Sequence, residues 1–408
     1  MSSSDSEPVA GGPSVTQTAA EAPELPAVRP ADLAEARDVL LDSDRNGRRI
    51  VIRGTGSAQS WGAPPGEVDL VVDTTGLDQI LAYNPADMTV AVGAGMRLTD
   101  LQEKLDGQRV ALDAARIPLG ATVGGLLATA DGGPLRAAYG TLRDLVIGVT
   151  VVLADGTVAR SGGHVIKNVA GYDLAKLFSG SLGSFGLIAE VVLRVHPRPE
   201  ATATLAVPCE VRAAFALASV LRDSPLEPVA LDWHGGRLLA RFEGTRAGVE
   251  TRCDKAATLV GAESQRLDGS LETAVWDDLA EAVRGDTGDT VLRAGTSPDE
   301  LAAVATRLEA LAGEHDVEAS ITSSVGIGVH AVRLRAGEPA GHAAVVRNWR
   351  QDVLDAGGSV TLHRRRAGLD ELVPSWGPAP TTAPLLRAVK EQLDHDHRLA
   401  PGRFEPWF

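Results

Sequence analysis

Cysteine is scarce in this chain. Cys209 and Cys253 are the only two among 408 residues, and they do not have the spacing of metal ligands. An iron–sulfur cluster takes about four protein ligands, so this chain cannot hold a cluster by itself. Two cysteines also cannot build the disulfide framework of small secreted domains, and a reducing cytoplasm is the expected compartment.

Long apolar runs and clusters of positive charge are missing as well. No segment approaches the ~18 unbroken apolar residues of a membrane helix, and no basic region followed by an apolar core opens the chain. The net charge is −15, and the one short basic run is His363 to Arg366. This balance argues against nucleic acid as the main partner. We expect a cytoplasmic protein without a membrane span, any membrane association occurring through partners.

The chain divides into four parts by composition. Residues 1–28 contain no Lys or Arg and are rich in Ser, Pro, Gly, Ala and Glu, so we expect a disordered tail. Short strands and helices alternate over 29–199, including a helix over 76–83 and a hairpin that turns at Asp155-Gly156. Two prolines, Pro197 and Pro199, end this domain. Residues 200–360 are expected to form a second α+β domain with an antiparallel sheet, and 361–408 a C-terminal segment.

Glycine is concentrated between apolar runs. One loop, Gly54 to Gly62, follows the predicted strand Arg48 to Arg53, and three further clusters are Gly120 to Gly125, Gly162 to Gly171 and Gly180 to Gly186. Such clusters indicate either tight turns or close approach of backbone to a ligand. The first loop is not a Rossmann fingerprint, because Gln59 stands at the third glycine position and no helix is predicted after it. Its backbone N–H groups could still form an anion-binding nest, although a plain turn is the alternative.

Taken in order, the motifs resemble the p-cresol methylhydroxylase/vanillyl-alcohol oxidase (PCMH-type) family of FAD-binding flavoproteins. They are Arg53-Gly54-Thr55-Gly56-Ser57, Gly93-Ala94-Gly95, Gly120 to Gly125 with Ala128-Thr129, Tyr139-Gly140, Val151 to Gly156, Lys167 to Leu174, Gly180 to Ile188 and Pro401-Gly402-Arg403-Phe404. The string Lys167 to Leu174, the short second domain and the overall length look most like the FAD-binding E subunit of bacterial glycolate oxidase. Ala400 stands where the family's last motif has Asn.

The resemblance implies an α+β fold: a two-subdomain PCMH-type FAD-binding domain plus a smaller α+β cap domain with an antiparallel sheet. The C-terminal segment would return to the FAD domain. Gly54, Thr55, Gly56, Ser57 and Ala58 would hold the FAD pyrophosphate, and Gly120, Ala121, Thr122, Gly124, Gly125 and Ala128 would pass beside it and the flavin edge, where a Cβ would clash. Gly171 and Tyr172 would line the isoalloxazine ring, and Ile188 would meet the adenine. The FAD would be noncovalent, because the first loop has no His and Gly120 to Gly140 no Cys.

A hydroxy acid substrate requires a cation for its carboxylate and a base for its hydroxyl. Residues of both kinds lie on predicted strands of the second domain, and none is singled out as catalytic: His234, Arg241, His330, Arg333, His363 and Arg364. A surface role is the alternative for each of them. The histidines of that domain are too scattered for a metal site, and none is expected.

Three functions remain open from the sequence. The first is an FAD subunit that oxidises glycolate or another 2-hydroxy acid and works with a second flavoprotein subunit and an iron–sulfur subunit. The second is a stand-alone flavin oxidase of an alcohol, sugar or lactone. The third is a non-catalytic FAD-binding scaffold subunit.

Overall fold

The computed structural model describes residues 25–164 and 173–408. The helices of this part of the chain are α1 (Leu33–Arg45), α2 (Leu98–Lys104), α3 (Val123–Thr129), α4 (Arg136–Tyr139), α5 (Leu142–Leu145), α6 (Leu174–Phe178), α7 (Val211–Arg222), α8 (Arg246–Val260), α9 (Gly269–Arg284), α10 (Leu301–Glu314), α11 (Pro339–Asp355) and α12 (Ala383–Leu393). Its strands are β1 (Ala27–Val28), β2 (Ile50–Arg53), β3 (Leu70–Asp73), β4 (Ile80–Asn84), β5 (Thr89–Gly93), β6 (Gln108–Arg109), β7 (Val146–Val152), β8 (Val158–Gly162), β9 (Leu187–Arg194), β10 (His196–Pro197), β11 (Ala201–Pro208), β12 (Ala230–His234), β13 (Arg237–Gly244), β14 (Gln265–Leu267), β15 (Thr290–Gly295), β16 (Glu318–Ser324), β17 (Val329–Arg335) and β18 (Ser359–Arg364).

The N-terminal half contains two main sheets. A parallel sheet has the order β1-β3-β2, and an antiparallel sheet has the order β4-β5-β9-β7-β8. The hairpin of β7 and β8 turns at Gly156 with φ +81°, as the Asp-Gly pair predicts. The prediction of a helix over 76–83 is wrong. A 3-10 turn, Thr74–Gly76, is followed by strand β4, because pairing of β4 with β5 outweighs the local helix propensity.

The C-terminal half contains one eight-stranded antiparallel sheet in the order β14-β11-β13-β12-β16-β17-β15-β18. Its strands and helices repeat one pattern twice, βαββαβ over β11 to β14 and again over β15 to β18. The halves meet where Asp232 and Trp233 of β12 pair with Ser324 and Ser323 of β16. The expected α+β class with an antiparallel second sheet is confirmed, whereas the duplication has no visible repeat in the sequence.

The C-terminal segment packs against the first half. The Ile50 N–H donates to Arg398 O and the Ala400 N–H donates to Ile50 O, both at 2.8 Å. Leu386, Val389 and Leu393 of α12 pack against the core beneath the five-stranded sheet. The four domain limits remain predictions, and β18 crosses the boundary expected at residue 360.

Candidate functional site

The loop after β2 presents free backbone donors. Within the part of the chain that the structure describes, the N–H groups of Thr55, Gly56, Ser57 and Ala58 donate to no protein acceptor. Gly56 has φ +82°, which L side chains rarely adopt. No helix follows the loop, so it is a turn of consecutive N–H groups of the kind that binds anions.

The segment before and within α3 packs directly against this loop. The Thr55 hydroxyl donates to Gly120 O at 2.9 Å, and the Thr122 hydroxyl caps α3 by accepting from Gly125 N at 3.1 Å. A Cβ on Gly54 would lie 2.5 Å from Thr122 Oγ1. The two glycine-rich segments are therefore held together at van der Waals contact by the side chains of two threonines.

A cavity that is open at its mouth lies between these segments, and we call it the glycine cavity. Eleven of the fourteen residues expected at the cofactor line it: Gly54, Thr55, Gly56, Ser57, Ala58, Ala121, Thr122, Gly124, Gly125, Ala128 and Ile188. Gly120 lies outside its wall, bonded to Thr55. Gly171 and Tyr172 fall outside the described residues.

The glycine at position 124 is explained by packing within the protein. A Cβ on Gly124 would lie 2.7 Å from the Ala94 Cβ and 2.9 Å from its carbonyl oxygen. The absence of a side chain there lets α3 pack on the loop after β5. For Gly120 to Gly125 the expected reason was a clash between a Cβ and the ligand, but at Gly124, and likewise at Gly54, a Cβ would already lie too close to the chain's own atoms.

Arg403 fixes the far end of the first loop. Its guanidinium donates to the carbonyl oxygens of Gln59 and Trp61 at 2.9 Å and of Ala63 at 3.2 Å. The side chain is buried, which lowers its pKa to about 10. The conformation of residues 59–63 therefore depends on the C-terminal segment.

A second cavity lies between the first half and the eight-stranded sheet, and we call it the arginine cavity. Its lining includes Arg116, Arg136, Arg241 and Arg293, none of which is exposed. Burial lowers the pKa of Arg293 to about 10, with Arg136 as a further cause. A site with several dehydrated guanidinium groups attracts a carboxylate.

Carboxyl groups also face the arginine cavity. Desolvation raises the pKa of Asp113 to about 6 and that of Asp232 to about 7, and the negative charge of Asp113 contributes to the shift at Asp232. Asp131 pairs with Arg116 at 3.5 Å. The cavity thus combines cations with carboxyl groups that change protonation near neutral pH.

Arg116 and Asp131 line both cavities, so the two cavities adjoin at this ion pair. Trp61, in the wall of the glycine cavity, stacks on His363, in the wall of the arginine cavity, with 3.6 Å between ring centres. A ligand that fills the glycine cavity would therefore extend to the edge of a charged, partly enclosed chamber.

Comparison with known proteins identifies the ligand class. Residues 25–162 match the family model described as FAD binding domain. The chain carries an FAD-binding domain. This match includes the free N–H groups after β2 and the whole of α3. The resemblance to FAD-binding flavoproteins that the glycine motifs indicated is confirmed.

Several relatives of the FAD-binding domain are oxidoreductases by name. Glycolate oxidase subunit GlcD of Bacillus subtilis is 31% identical over 291 residues, 70% of this chain and 60% of that protein. Glycolate oxidase subunit GlcE of Escherichia coli is 31% identical over 216 residues, 52% of this chain and 60% of that protein. A D-lactate dehydrogenase of Archaeoglobus fulgidus is 33% identical over 182 residues, 44% of this chain and 41% of that protein. The chain thus spans 41–60% of the length of these three relatives.

Solved structures show the same fold. An alkyldihydroxyacetonephosphate synthase aligns with a TM-score of 0.69 over 92% of this chain and 75% of that one, at 16% identity. At that identity the likeness concerns the fold alone. It extends beyond the FAD-binding domain and includes the sheet that covers the arginine cavity.

The residues of the glycine cavity fit FAD. Its wall offers the four free backbone N–H groups for phosphate oxygens, and the buried Trp61 Nε1 also has no hydrogen-bond partner among the described residues. Each is a donor, and FAD presents acceptors along its length. No His or Cys is among the residues that line this cavity.

The six strand residues expected near the substrate separate into two groups. Arg241, His330 and His363 line the arginine cavity. The other three do not line it: His234 bonds to Asp278 and to Thr322, a residue of the cavity wall, Arg333 pairs with Asp286 and Asp289, and Arg364 donates to Arg284 O.

Sequence reasoning missed seven charged residues at the two cavities: Asp113, Arg116, Asp131, Arg136, Asp232, Asp277 and Arg293. Some of them carry a local signal. Asp232 and Arg293 interrupt otherwise apolar strand segments, Ala-Leu-Asp-Trp and Val-Leu-Arg-Ala, and a charge within a buried strand indicates a functional site.

Proposed function

We propose that this chain is the FAD-dependent subunit of an oxidoreductase that oxidises glycolate or a related 2-hydroxy acid and passes electrons to an iron–sulfur partner. The observation that carries the proposal is the meeting of the two cavities at Arg116 and Asp131. A 2-hydroxy acid in the arginine cavity would lie beside an FAD in the glycine cavity. Relatives named as glycolate oxidase subunits and D-lactate dehydrogenases support this substrate class.

The residues have separate tasks in this proposal. The free N–H groups of Thr55 to Ala58 bind the pyrophosphate, α3 and its cap bind along the flavin edge, and Ile188 lies toward the adenine. Bound noncovalently, FAD supplies the two-electron acceptor. The arginines hold the substrate carboxylate, and the apolar wall around them excludes water from the reacting carbon.

The partner requirement follows from the cysteines. Cys253 is buried and Cys209 is half-buried, and the described residues contain no group of three or more side chains able to hold a metal. In this proposal, electrons leave the flavin for a partner subunit that holds an iron–sulfur cluster. The complex also includes a second flavoprotein subunit, and the names of the Bacillus and Escherichia relatives as subunits support a complex of several chains. Over the same residues, no helix has the length and hydropathy to cross a membrane. We place the complex in the cytoplasm, where free cysteines persist.

The test is anaerobic reduction of the FAD-loaded protein by glycolate or D-lactate, followed by absorbance. The proposal predicts bleaching that persists when air is admitted and is reversed by an added dye acceptor. Rapid recovery in air with peroxide formation would instead support a stand-alone oxidase. A bound flavin that no 2-hydroxy acid bleaches would support a non-catalytic scaffold subunit. The charged residues that line the arginine cavity argue against that function.

A further inference from the structure

One carboxylate oxygen in the arginine cavity has no partner. Asp232 lies on β12 beside the junction with β16, and its side chain is buried, with the residue only 2% exposed. The Ser324 hydroxyl donates to its Oδ1 at 2.6 Å, whereas Oδ2 has no hydrogen-bond partner among the described residues. Buried polar atoms are nearly always satisfied, so an exception in a cavity wall indicates the place of a ligand group.

The other two carboxylates that face this cavity from positions not exposed to solvent, Asp113 and Asp131, are already engaged. Asp131 accepts from Gly132 N at 2.9 Å and pairs with Arg116. Both oxygens of Asp113 accept from Leu135 N at 3.1 Å. Asp232 Oδ2 is thus the available acceptor among the three.

The two histidines of the cavity are poorer proton acceptors. Both ring nitrogens of His330 are bonded, to Ser323 and to Thr296. Burial together with the nearby charges of Arg293, Arg116 and Arg136 holds the pKa of His363 well below its usual range. A protonated imidazole next to three guanidinium groups is strongly disfavoured, whereas a carboxyl group gains no charge on accepting a proton.

We propose that Asp232 is the proton acceptor in substrate oxidation, with Oδ2 taking the proton of the substrate hydroxyl; this rests on the proposed function. The O–H bond breaks and its proton goes to Oδ2. Its electron pair forms the second bond of the new carbonyl, and the hydrogen on the same carbon leaves with its bonding pair to the oxidised flavin that the proposed function supplies. The substrate loses two electrons and the flavin gains them.

The charge environment of Asp232 suits this role. Desolvation raises the pKa of Asp232 to about 7, Asp113 adds to the rise, and Ser324 and Arg136 oppose it. Other titratable or charged groups reach the cavity from the elements around it: Arg116 and Asp131 from the segments flanking α3, Arg241 of β13, Asp277 of α9, Arg293 of β15, His330 of β17 and His363 of β18. A base that titrates near the working pH is the efficient one.

The first test compares flavin reduction by D-lactate or glycolate in the FAD-loaded wild type, Asp232→Asn and Asp254→Asn. Asn keeps the size of the side chain and can still accept from Ser324, and Asp254 is an exposed carboxylate on α8 that serves as the matched control. We expect reduction to slow by roughly 100-fold or more in Asp232→Asn, with oxalate affinity changed less than threefold, and to be unchanged in Asp254→Asn. Normal reduction in Asp232→Asn would overturn the proposal.

The second test is the pH dependence of reduction. The wild-type rate should rise with pH through about 7, and Asp113→Asn should move this limb to lower pH because a neighbouring negative charge is removed. A merely structural role for Asp113 or Asp232 would not shift the limb. A rate that falls as pH rises through this range, or a limb that disappears in His363→Gln and persists in Asp232→Asn, would contradict the role of Asp232.

A third readout does not depend on turnover. Infrared difference spectra of the FAD-loaded protein between pH 5 and pH 9 should contain a protonated-carboxyl band that titrates near pH 7. Asp113 should contribute a second component that titrates at lower pH, and Asp113→Asn identifies it. The component near pH 7 should be lost in Asp232→Asn and remain in Asp254→Asn, and its retention in Asp232→Asn would count against the proposal. If no 2-hydroxy acid reduces the wild type, the proposed function has failed and the base assignment falls with it. If a 2-hydroxy acid reduces the wild type and reduces Asp232→Asn equally fast, the assignment alone has failed.

Discussion

The guanidinium carbon of Arg116 lies 4.2 Å from the centre of the Trp61 ring, and the same side chain pairs with Asp131 at 3.5 Å. Trp61 belongs to the loop after β2, and Arg116 precedes the glycine segment that leads into α3. The contact therefore joins the two halves of the glycine cavity. Because Arg116 also lines the arginine cavity, this contact lies where cofactor and substrate would meet.

Replacing Arg116 with Met should weaken carboxylate binding and leave FAD in place. A hydrogen bond to a charged group contributes enough that we expect oxalate affinity to fall roughly 10- to 100-fold. Isothermal titration of the FAD-loaded protein with oxalate measures this change, and Arg143→Met, at an exposed site, is the matched control. Arg116→Met combined with Asp131→Asn removes both charges of the pair and covers the case in which the single variant is unstable. Unchanged oxalate affinity in both variants would contradict the substrate site.

A methyl group at position 124 should damage the glycine cavity. The Cβ of Gly124→Ala would lie too close to Ala94, and we expect a loss of about 1–3 kcal/mol in the free energy of unfolding together with weaker FAD retention. Gly313→Ala is the control, because that glycine lies in the last turn of α10 with open space at its Cβ position. Alanine there should be neutral or slightly stabilising. Thermal unfolding of both variants, with and without added FAD, measures the difference.

Removing the Arg403 guanidinium should destabilise the conformation of the loop after β2, Gly54 to Gly62. Arg403→Gln leaves the carbonyl oxygens of Gln59, Trp61 and Ala63 without their shared donor. We expect destabilisation of about 1–3 kcal/mol and faster release of FAD on dilution. Equilibrium dialysis against flavin-free buffer, with Arg387→Gln as a control at an exposed arginine near the same end of the chain, detects the release. Wild-type FAD retention in Arg403→Gln would show that the C-terminal segment does not support the loop.

Protonation of Asp113 and Asp232 should stabilise the folded protein at low pH, and this contribution should fall as pH rises from about 4 to 7. The folded-state pKa values of the two groups, about 6 and about 7, lie above the ordinary value of 3.8, so in this window they hold more protons in the native state than in the unfolded state. Burial lowers the pKa of His330 and His363, which act in the opposite direction, so the carboxyl contribution is measured by comparison with Asp232→Asn. At pH 8, Asp232→Asn should therefore be more stable than the wild type, on the order of 2–4 kcal/mol, and the difference should disappear below pH 4. Urea unfolding at several pH values measures this, and Asp254→Asn should follow the wild-type curve. Equal stability of the wild type and Asp232→Asn at pH 8 would show that the pKa of Asp232 is not raised in the folded protein.

Most secondary-structure elements could be predicted from the sequence because their signals are local. The Asp155-Gly156 pair predicts the turn between β7 and β8, and the run Ser359 to Arg364 predicts the strand that is β18. The run Leu271 to Val283 predicts a helix, and α9 begins two residues earlier, at Gly269. Helix α8 escaped prediction because its apolar residues show little amphipathic periodicity. Residues 76–83 were expected to be helical, yet the partner strand β5, which local propensity does not include, makes 80–84 a strand.

The cofactor site was more predictable than the substrate site. Glycines such as Gly54 and Gly124 are visible as motifs, and most of their predicted neighbours line one cavity. The arginine cavity is assembled from residues more than 200 positions apart, such as Arg116 and His363, and single charged residues on strands give no indication of which will share a wall. Asp232 is an example of what the sequence does not predict. Whether its Oδ2 has a hydrogen-bond partner depends on the positions of β16 and of the segment around Asp113, which are distant in sequence.

A crystal structure of the protein with FAD and oxalate bound tests the central claim most directly. We expect the pyrophosphate oxygens to accept hydrogen bonds from the N–H groups of Thr55 to Ala58, and oxalate to lie among Arg116, Arg136, Arg241 and Arg293 with Asp232 Oδ2 facing it. FAD bound away from the glycine cavity, or oxalate bound outside the arginine cavity, would contradict the claim that the two cavities meet to form one redox site.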